Sequence, residues 1–173
     1  MQRICLRNSL AALTVAGIFS SGSVLANDEW LITAGYALAP AIQAENGEKA
    51  TMIPVWFAVP EAFDYNLGGY VRFGLAENDL TGSNNTDRHV ARVINLGLTY
   101  KASDHVIFYA GPGYSYQRSF VANTPSISKH RFNANVGVAI VPGDFGINIS
   151  YDSGPNAFGV GFTVSSNWFG GRF

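Results

Sequence analysis

The sequence predicts an all-β protein: an eight-stranded antiparallel up-and-down transmembrane β-barrel preceded by a cleavable signal peptide. Three observations lead there. After the first 26 residues, apolar side chains recur at every second position, which is the period of a strand. Eight such stretches fit the remaining chain of the 173-residue protein. The links between them alternate between short turns and longer polar segments.

The leader comes first. Arg3 and Arg7 make a basic start, Leu10 to Phe19 is almost wholly apolar, and small residues follow to Val24-Leu25-Ala26. That order is the layout of a secretory signal, with cleavage expected after Ala26. The domain division is therefore 1–26 as signal peptide and 27–173 as barrel. An uncleaved anchor is the competing reading, but the apolar run falls short of the roughly 20 residues a membrane helix needs. The only cysteine, Cys5, leaves with the leader, so the mature chain holds no disulfide. Losing Arg3 and Arg7 moves the formal net charge from −1 to −3. No basic run points to nucleic acid. Charged residues make up 13% of the chain, against about 25% in soluble domains. Aromatics equal them at 13% and glycines number 19, a composition suited to a sheet whose outer face meets lipid.

Taken in order, the strands carry their apolar side chains in one phase. Strand one, near 29–40, aligns Trp30, Ile32, Ala34, Tyr36 and Leu38; strand two, near 49–59, aligns Ile53, Val55, Phe57 and Val59. Strand three, near 65–76, sets Tyr65, Leu67, Val71, Phe73 and Leu75 against Asn66, Gly68, Arg72 and Gly74. Strand four sets Ile94, Leu96, Leu98 and Tyr100 against Asn95, Gly97, Thr99 and Lys101. Strand five opposes Val106, Phe108, Ala110, Tyr114 and Tyr116 to Tyr109, Gly111, Gly113 and Ser115. Strand six is the clearest, with Phe132, Ala134, Val136, Val138 and Ile140 opposite Arg131, Asn133, Asn135 and Gly137. Strand seven, near 145–152, opposes Phe145, Ile147, Ile149 and Tyr151 to Asn148, Ser150 and Asp152. Strand eight, from about 157, carries Phe158, Val160, Phe162 and Val164.

The connections set the architecture. Pro60–Asp64, Ala102–Asp104 and Pro142–Asp144 are short and rich in turn formers. Ile42–Glu48, Glu77–Arg88 and Ala122–Lys129 are longer, and Ser153–Asn156 is a shorter member of the same set. Short periplasmic turns alternating with longer external loops characterise bacterial outer-membrane barrels. A soluble barrel would turn its apolar face inward. Here the opposite face holds Arg72, Asn95, Lys101, Arg131, Asn133, Asn148 and Asp152 among glycines. That makes a polar interior and a poor soluble exterior, which would be richer in Lys and Glu. Trp30, Tyr65, Tyr100 and Phe145 fall near one set of strand ends, and Tyr36, Tyr116, Phe132 and Tyr151 near the other. Two aromatic bands mark the boundaries of such barrels with water. The expected location is the bacterial outer membrane, reached by export across the inner one.

The segment Tyr109-Ala110-Gly111-Pro112-Gly113-Tyr114-Ser115-Tyr116 resembles the aromatic–glycine strand of small outer-membrane barrels of the OmpA/OmpX type. The terminal Phe173 resembles the signal such proteins present to the outer-membrane assembly machinery, which the resemblance implies as a partner during biogenesis. Gly170-Gly171-Arg172 departs from the alternating pattern behind that signal, as do Ser165 and Asn167, so the recognised strand is expected to end near Trp168 or Phe169.

Eight strands enclose a space that side chains fill, which argues against a wide aqueous pore. Inward glycines make room for bulky inward neighbours such as Tyr70 and Tyr109. Arg72, Lys101, Arg131 and Asp152 form a candidate buried ion-pair network, read either as a plug or as a gated narrow path. Pro54 and Pro112 fall inside strands, where each removes a ladder bond and points to a bulge or to a weak seam open to lipid. At the outer rim Arg88, Arg92, Arg118, Lys129 and Arg131 are candidate contacts for lipopolysaccharide phosphates, set against simple snorkelling of long cations. Outer-membrane lipid A deacylases and palmitoyltransferases have a similar size. The nearest nucleophile–base arrangement is Ser128-Lys129-His130, which lacks a placed third partner. No metal-ligand spacing and no cofactor motif is visible. The main expectation is a monomeric, non-enzymatic barrel that supports envelope integrity or displays its loops, with outer-membrane lipid and lipopolysaccharide as surroundings. The alternatives are a lipid A-modifying enzyme and a narrow conduit for small apolar molecules.

Overall fold

Alternating side chains impose strands, and strands that bury polar groups inside lipid must close on themselves to leave no edge. The computed structural model, which describes residues 29–43, 49–79, 88–120 and 127–169, meets that requirement. Its strands are β1 (Leu31–Gln43), β2 (Lys49–Phe63), β3 (Leu67–Asp79), β4 (Arg88–Ser103), β5 (Val106–Phe120), β6 (Ile127–Ile140), β7 (Phe145–Asp152) and β8 (Ala157–Ser165). Neighbours in the chain are neighbours in the sheet, all antiparallel, and β1 pairs with β8 to close the barrel. The segment 1–26, Phe173 and residues 44–48, 80–87 and 121–126 of the long links lie outside the described residues.

The pairing register fixes the tilt. A row begun at Phe132 crosses Tyr114, Ile94, Phe73, Val55, Ala34, Phe162 and Ile147, and returns to β6 at Ile140, eight residues along. Eight strands staggered by eight residues tilt about 36° from the barrel axis. The row is thus a helix that descends from the loop side to the turn side.

Outward and inward faces separate as the alternation demands. Ile53, Leu75, Leu96, Leu98, Phe108, Ile147, Phe158 and Phe162 are exposed on the outside. Arg72, Asn95, Thr99, Asn135, Asp152 and Thr163 are buried within. Greasy side chains outside and polar ones inside are stable only when hydrocarbon surrounds the barrel.

Four details depart from expectation. The strands run further into the loop side than the sequence pattern reaches, so β3 continues to Asp79 and β6 begins at Ile127. Tyr65 is not in strand three: β2 extends to Phe63, and Tyr65 and Asn66 form the following turn at φ of 65° and 60°. Asn tolerates that left-handed backbone, and a tyrosine adopts it at some cost. Neither internal proline makes a bulge. Ala34↔Val55 and Ala37↔Met52 keep one register past Pro54, as Asn95↔Gly113 and Leu98↔Ala110 do past Pro112. The ladder lapses on only one side of each proline, towards β1 for Pro54 and towards β4 for Pro112, where the missing N–H would have donated. Register shifts fall instead near strand ends, at Ala39/Gln43, Val59/Phe63 and Lys101/Ser103. Finally, β8 stops at Ser165 and a single 3-10 turn, Ser166–Phe169, follows. Its Trp168 and Phe169 stack towards Phe145 and Trp30, extending the aromatic band at that end.

Candidate functional site

The lumen is built in tiers. On the turn side, β2, β3 and β5 each send one large ring inward, and Trp56, Tyr70 and Tyr109 are almost fully buried. Tyr109 lies 5.0 Å from Trp56 and 4.9 Å, edge-on, from Tyr70, centroid to centroid, the geometry aromatic quadrupoles favour. Glycine on neighbouring strands makes the room. A Cβ at Gly137 would stand 2.3 Å from Tyr109 Cζ, and one at Gly97 would stand 2.6 Å from Tyr70 Cε1. The phenols reach up into polar neighbours: Tyr109 donates to Asn148 (2.8 Å) and Tyr70 to Asn135 (3.3 Å).

Above the rings sits a charged tier. Arg72 Nη1 donates to Asp152 Oδ2 at 2.6 Å, with both side chains essentially unexposed. Asp152 Oδ1 also accepts from Asn133 Nδ2 (2.8 Å) and from the Gly154 amide (3.3 Å), while Asn95 donates to Asn133 (3.2 Å). A buried ion pair is held at a heavy desolvation cost, which close geometry and further hydrogen bonds offset. The short link between β7 and β8 then folds over this tier. Ser153 N donates to Ala134 O (2.9 Å), Ala134 N donates to Ser153 Oγ (2.8 Å), and Gly154 and Pro155 are buried. A Cβ at Gly154 would meet Ser115 Oγ at 2.7 Å and Asn133 Nδ2 at 2.8 Å, so a larger residue there would push both side chains aside. Ala37, Met52, Ala91, Val93 and Ala157 complete the loop-side interior. The lumen is thus occupied twice, by stacked rings and by a locked charge pair.

The four residues expected to share one ion-pair network do not. Arg72 and Asp152 pair at the centre. Lys101 instead pairs with Glu61 across the β2–β4 turn side at 2.6 Å, partly exposed. Arg131 has the inward phase of β6 but stands exposed at the loop-side mouth, because β7 ends below it. The sequence reading also missed Trp56, Glu61 and the Gly154–Pro155 cover. Trp56 shares the phase of Met52 and Ala58, opposite Ile53, Val55 and Phe57. Because both faces of β2 are apolar, alternation there is silent.

The rim cations divide into two groups. Arg92, Tyr116 and His130 form one cross-strand row on the outer wall, and Val90, Arg118 and Ser128 form the next row up. Arg92 and His130 are exposed and Arg118 is half-buried. Arg88 stands in register opposite Asp79 and Phe120. Lys129 and Arg131 are exposed on the other phase of β6, facing the mouth. Ser128 and His130 do share the outer face, but His130 Nδ1 is bonded to the Tyr114 hydroxyl and its ring lies 4.9 Å from Tyr116. Among the described residues no hydrogen bond links Ser128 to His130, and no acid orients the ring.

No protein-family model matches the chain, and no curated protein matches it in sequence. Solved structures do match in fold. Ail, the attachment invasion locus protein of Yersinia pestis, solved with the heparin analogue sucrose octasulfate, is 17% identical with a TM-score of 0.62 over 80% of this chain and 96% of that one. A second crystal structure of Ail is 15% identical with a TM-score of 0.58 over the same shares. Ail in a phospholipid bilayer nanodisc is 17% identical with a TM-score of 0.56, over 80% of this chain and 99% of that one. Fold and apolar belt agree: the chain is a small eight-stranded β-barrel with an apolar outer surface, the fold that Ail also has.

Proposed function

We propose that this is a non-enzymatic barrel that contributes to the integrity of the outer membrane and presents its loop side to anionic outer-leaflet lipid. One observation carries the reading: the lumen is occupied by the Trp56–Tyr70–Tyr109 rings and by the Arg72–Asp152 pair under the Ser153–Asn156 link. Among the described residues these two tiers stand across the barrel axis, which leaves the outside as the working surface. The filled lumen speaks against the conduit. The enzyme reading is weakened because the imidazole of His130 is held by a phenol rather than aimed at a nucleophile.

On the outer wall, Arg92 and Arg118 flank Tyr116 at the upper edge of the apolar belt, where guanidinium groups pair well with lipid phosphates. These two, with Arg88, are the contacts proposed for lipopolysaccharide. Lys129 and Arg131 face the mouth and contribute to the potential at the rim. A cleaved leader over 1–26, passage through the outer-membrane assembly machinery and a monomeric state complete the proposal.

Planar-bilayer recording tests it directly. The folded protein should give no stepwise conductance, and reproducible steps would sink the filled-lumen reading. Replacing Arg92 and Arg118 together with Gln should lower the lipopolysaccharide carried through purification. Retention at the level of the unaltered protein would reduce the rim to simple snorkelling.

A further inference from the structure

The strands of this barrel end at unequal heights on the loop side. β6 pairs with β7 only as far as Asn135↔Asp152 and then continues to Ile127. β1 pairs with β8 as far as Leu38↔Phe158 and then continues to Gln43. Among the described residues, the wall between these two taller strands consists of β7, β8 and the Ser153–Asn156 link. Three inter-strand steps separate β6 from β1, so the low stretch of rim is about 14 Å wide. Its height relative to the apolar belt follows from β6. Phe132 stands eight residues up that strand from Ile140, about 21 Å higher after correction for strand tilt. The apolar band of such barrels is about 25 Å tall. The link is bonded through Ser153 to Ala134, next below Phe132 on the same face, so the low wall stops where lipid headgroups begin.

Above that wall the inner face of the barrel carries one sign of charge. Arg131 stands about 8 Å above the end of β7 along the barrel axis, and Lys129 about 13 Å. Both have the inward phase of β6 and both are exposed. On β5, Gln117 lies directly opposite Lys129, and Ser115 opposite Arg131. The Gln117 Nε2 group is shielded from water and makes no hydrogen bond, an arrangement that costs stability until an acceptor arrives. Neither Ile127–Ala134 nor Ser115–Phe120 contains an acid. Asp152, the acid beneath them, is already taken up by Arg72 and Asn133. Two cations and an amide donor thus share one inner surface, reached from the side across the low wall.

We propose that the low wall of β7 and β8 admits the headgroup of a neighbouring outer-leaflet lipid sideways into the mouth, where Arg131 and Lys129 hold its phosphate and the Gln117 amide donates beside them. The proposal rests on the lipid-facing orientation argued above, but places a second site inside the rim, apart from Arg92 and Arg118. A guanidinium meets phosphate oxygens bidentately, and an ammonium adds a mobile point charge. Alternate residues of a strand lie about 7 Å apart on one face, so both cations reach the same headgroup. A lipid is favoured over a soluble anion because the gap opens towards the membrane at headgroup height. Its chains remain in hydrocarbon against Tyr151 and Phe158, both exposed on the outer side of the low wall. Anchored in that way, the headgroup is presented to the cations at high effective concentration.

The test uses the folded protein in phosphatidylcholine nanodiscs to which phosphatidic acid is added in rising proportion, read by amide chemical shifts. The amides of Gln117, Lys129, Arg131 and Gly154 should move as the phosphatidic acid fraction rises. Glycerol phosphate in solution, at the same total concentration, should move them far less. Lys129→Gln with Arg131→Gln, both exposed, should raise the fraction needed for half the shift at Gln117 about tenfold or more, and Lys129→Glu with Arg131→Glu should abolish that shift. The remaining amides report that each variant is folded. In the protein carrying Arg92→Gln and Arg118→Gln the mouth shifts should persist while lipopolysaccharide retention falls, which separates this site from the outer-wall one. Shifts that survive both pairs of β6 variants, shifts that vanish with the outer-wall variant, or glycerol phosphate as effective as the lipid would each overturn the proposal.

Discussion

The two halves of the lumen are filled by unlike chemistry. On the turn side, Trp56, Tyr70 and Tyr109 occupy the space by size, and glycines opposite them make way. On the loop side, Arg72 and Asp152 occupy it by charge, with Asn133 and Gly154 closing the remaining acceptor sites. A ring is stable in a dry interior wherever it fits. A charge is stable there only while its partner is present. The aromatic tier therefore depends on shape, and the charged tier on completeness.

The sharpest way to break the contrast is to remove one charge. Asp152→Ala leaves Arg72 buried and unpaired, and should cost about 3–5 kcal/mol of stability in urea unfolding from detergent micelles. Replacing both, as Arg72→Met with Asp152→Leu, should cost much less than that single change. Equal losses would mean that volume, not pairing, holds the loop-side half together. The aromatic half is probed by crowding. Gly137→Ala drives a methyl against Tyr109 and the Ile149 carbonyl, and should cost about 1–3 kcal/mol in the same assay. Gly74→Ala meets only the flexible Met52 side chain and should cost visibly less, so a similar loss at both positions would undo the assignment of Gly137 to the ring tier. The smallest effect is expected at the turn-side margin. Lys101→Ala breaks the half-wet pair with Glu61 and should change stability by about 1 kcal/mol or less. A larger loss there would show that wetness does not discriminate between the two pairs.

The short wall of β7 and β8 explains much of what alternation left unread. Arg131 and Asn133 share one phase of β6, yet one is exposed and the other buried, because β7 reaches Asn135 and the Ser153–Asn156 link covers only as far as Asn133. Phase tells which way a side chain points. The height of the neighbouring strand tells whether anything lies beyond it. Trp56 shows the complementary gap, since Met52, Trp56 and Ala58 are as apolar as Ile53, Val55 and Phe57. The turn after β2 comes later than alternation suggests for a local reason: Pro60 reads as a breaker, but the strand runs past it to Phe63 with a shift in register.

By itself the sequence determined the class of fold, the inward and outward faces of β4 to β8, and the inward tyrosines, because side-chain alternation is a one-dimensional signal that the backbone turns directly into direction. Tertiary structure decided the partners: Arg72 with Asp152 and not with Lys101, Glu61 with Lys101, Gly154 of the closing link against Ser115 and Asn133, and the end of β6–β7 pairing at Asn135. Those pairings arise from the stagger between strands and from their unequal lengths, which exist only once the sheet has closed.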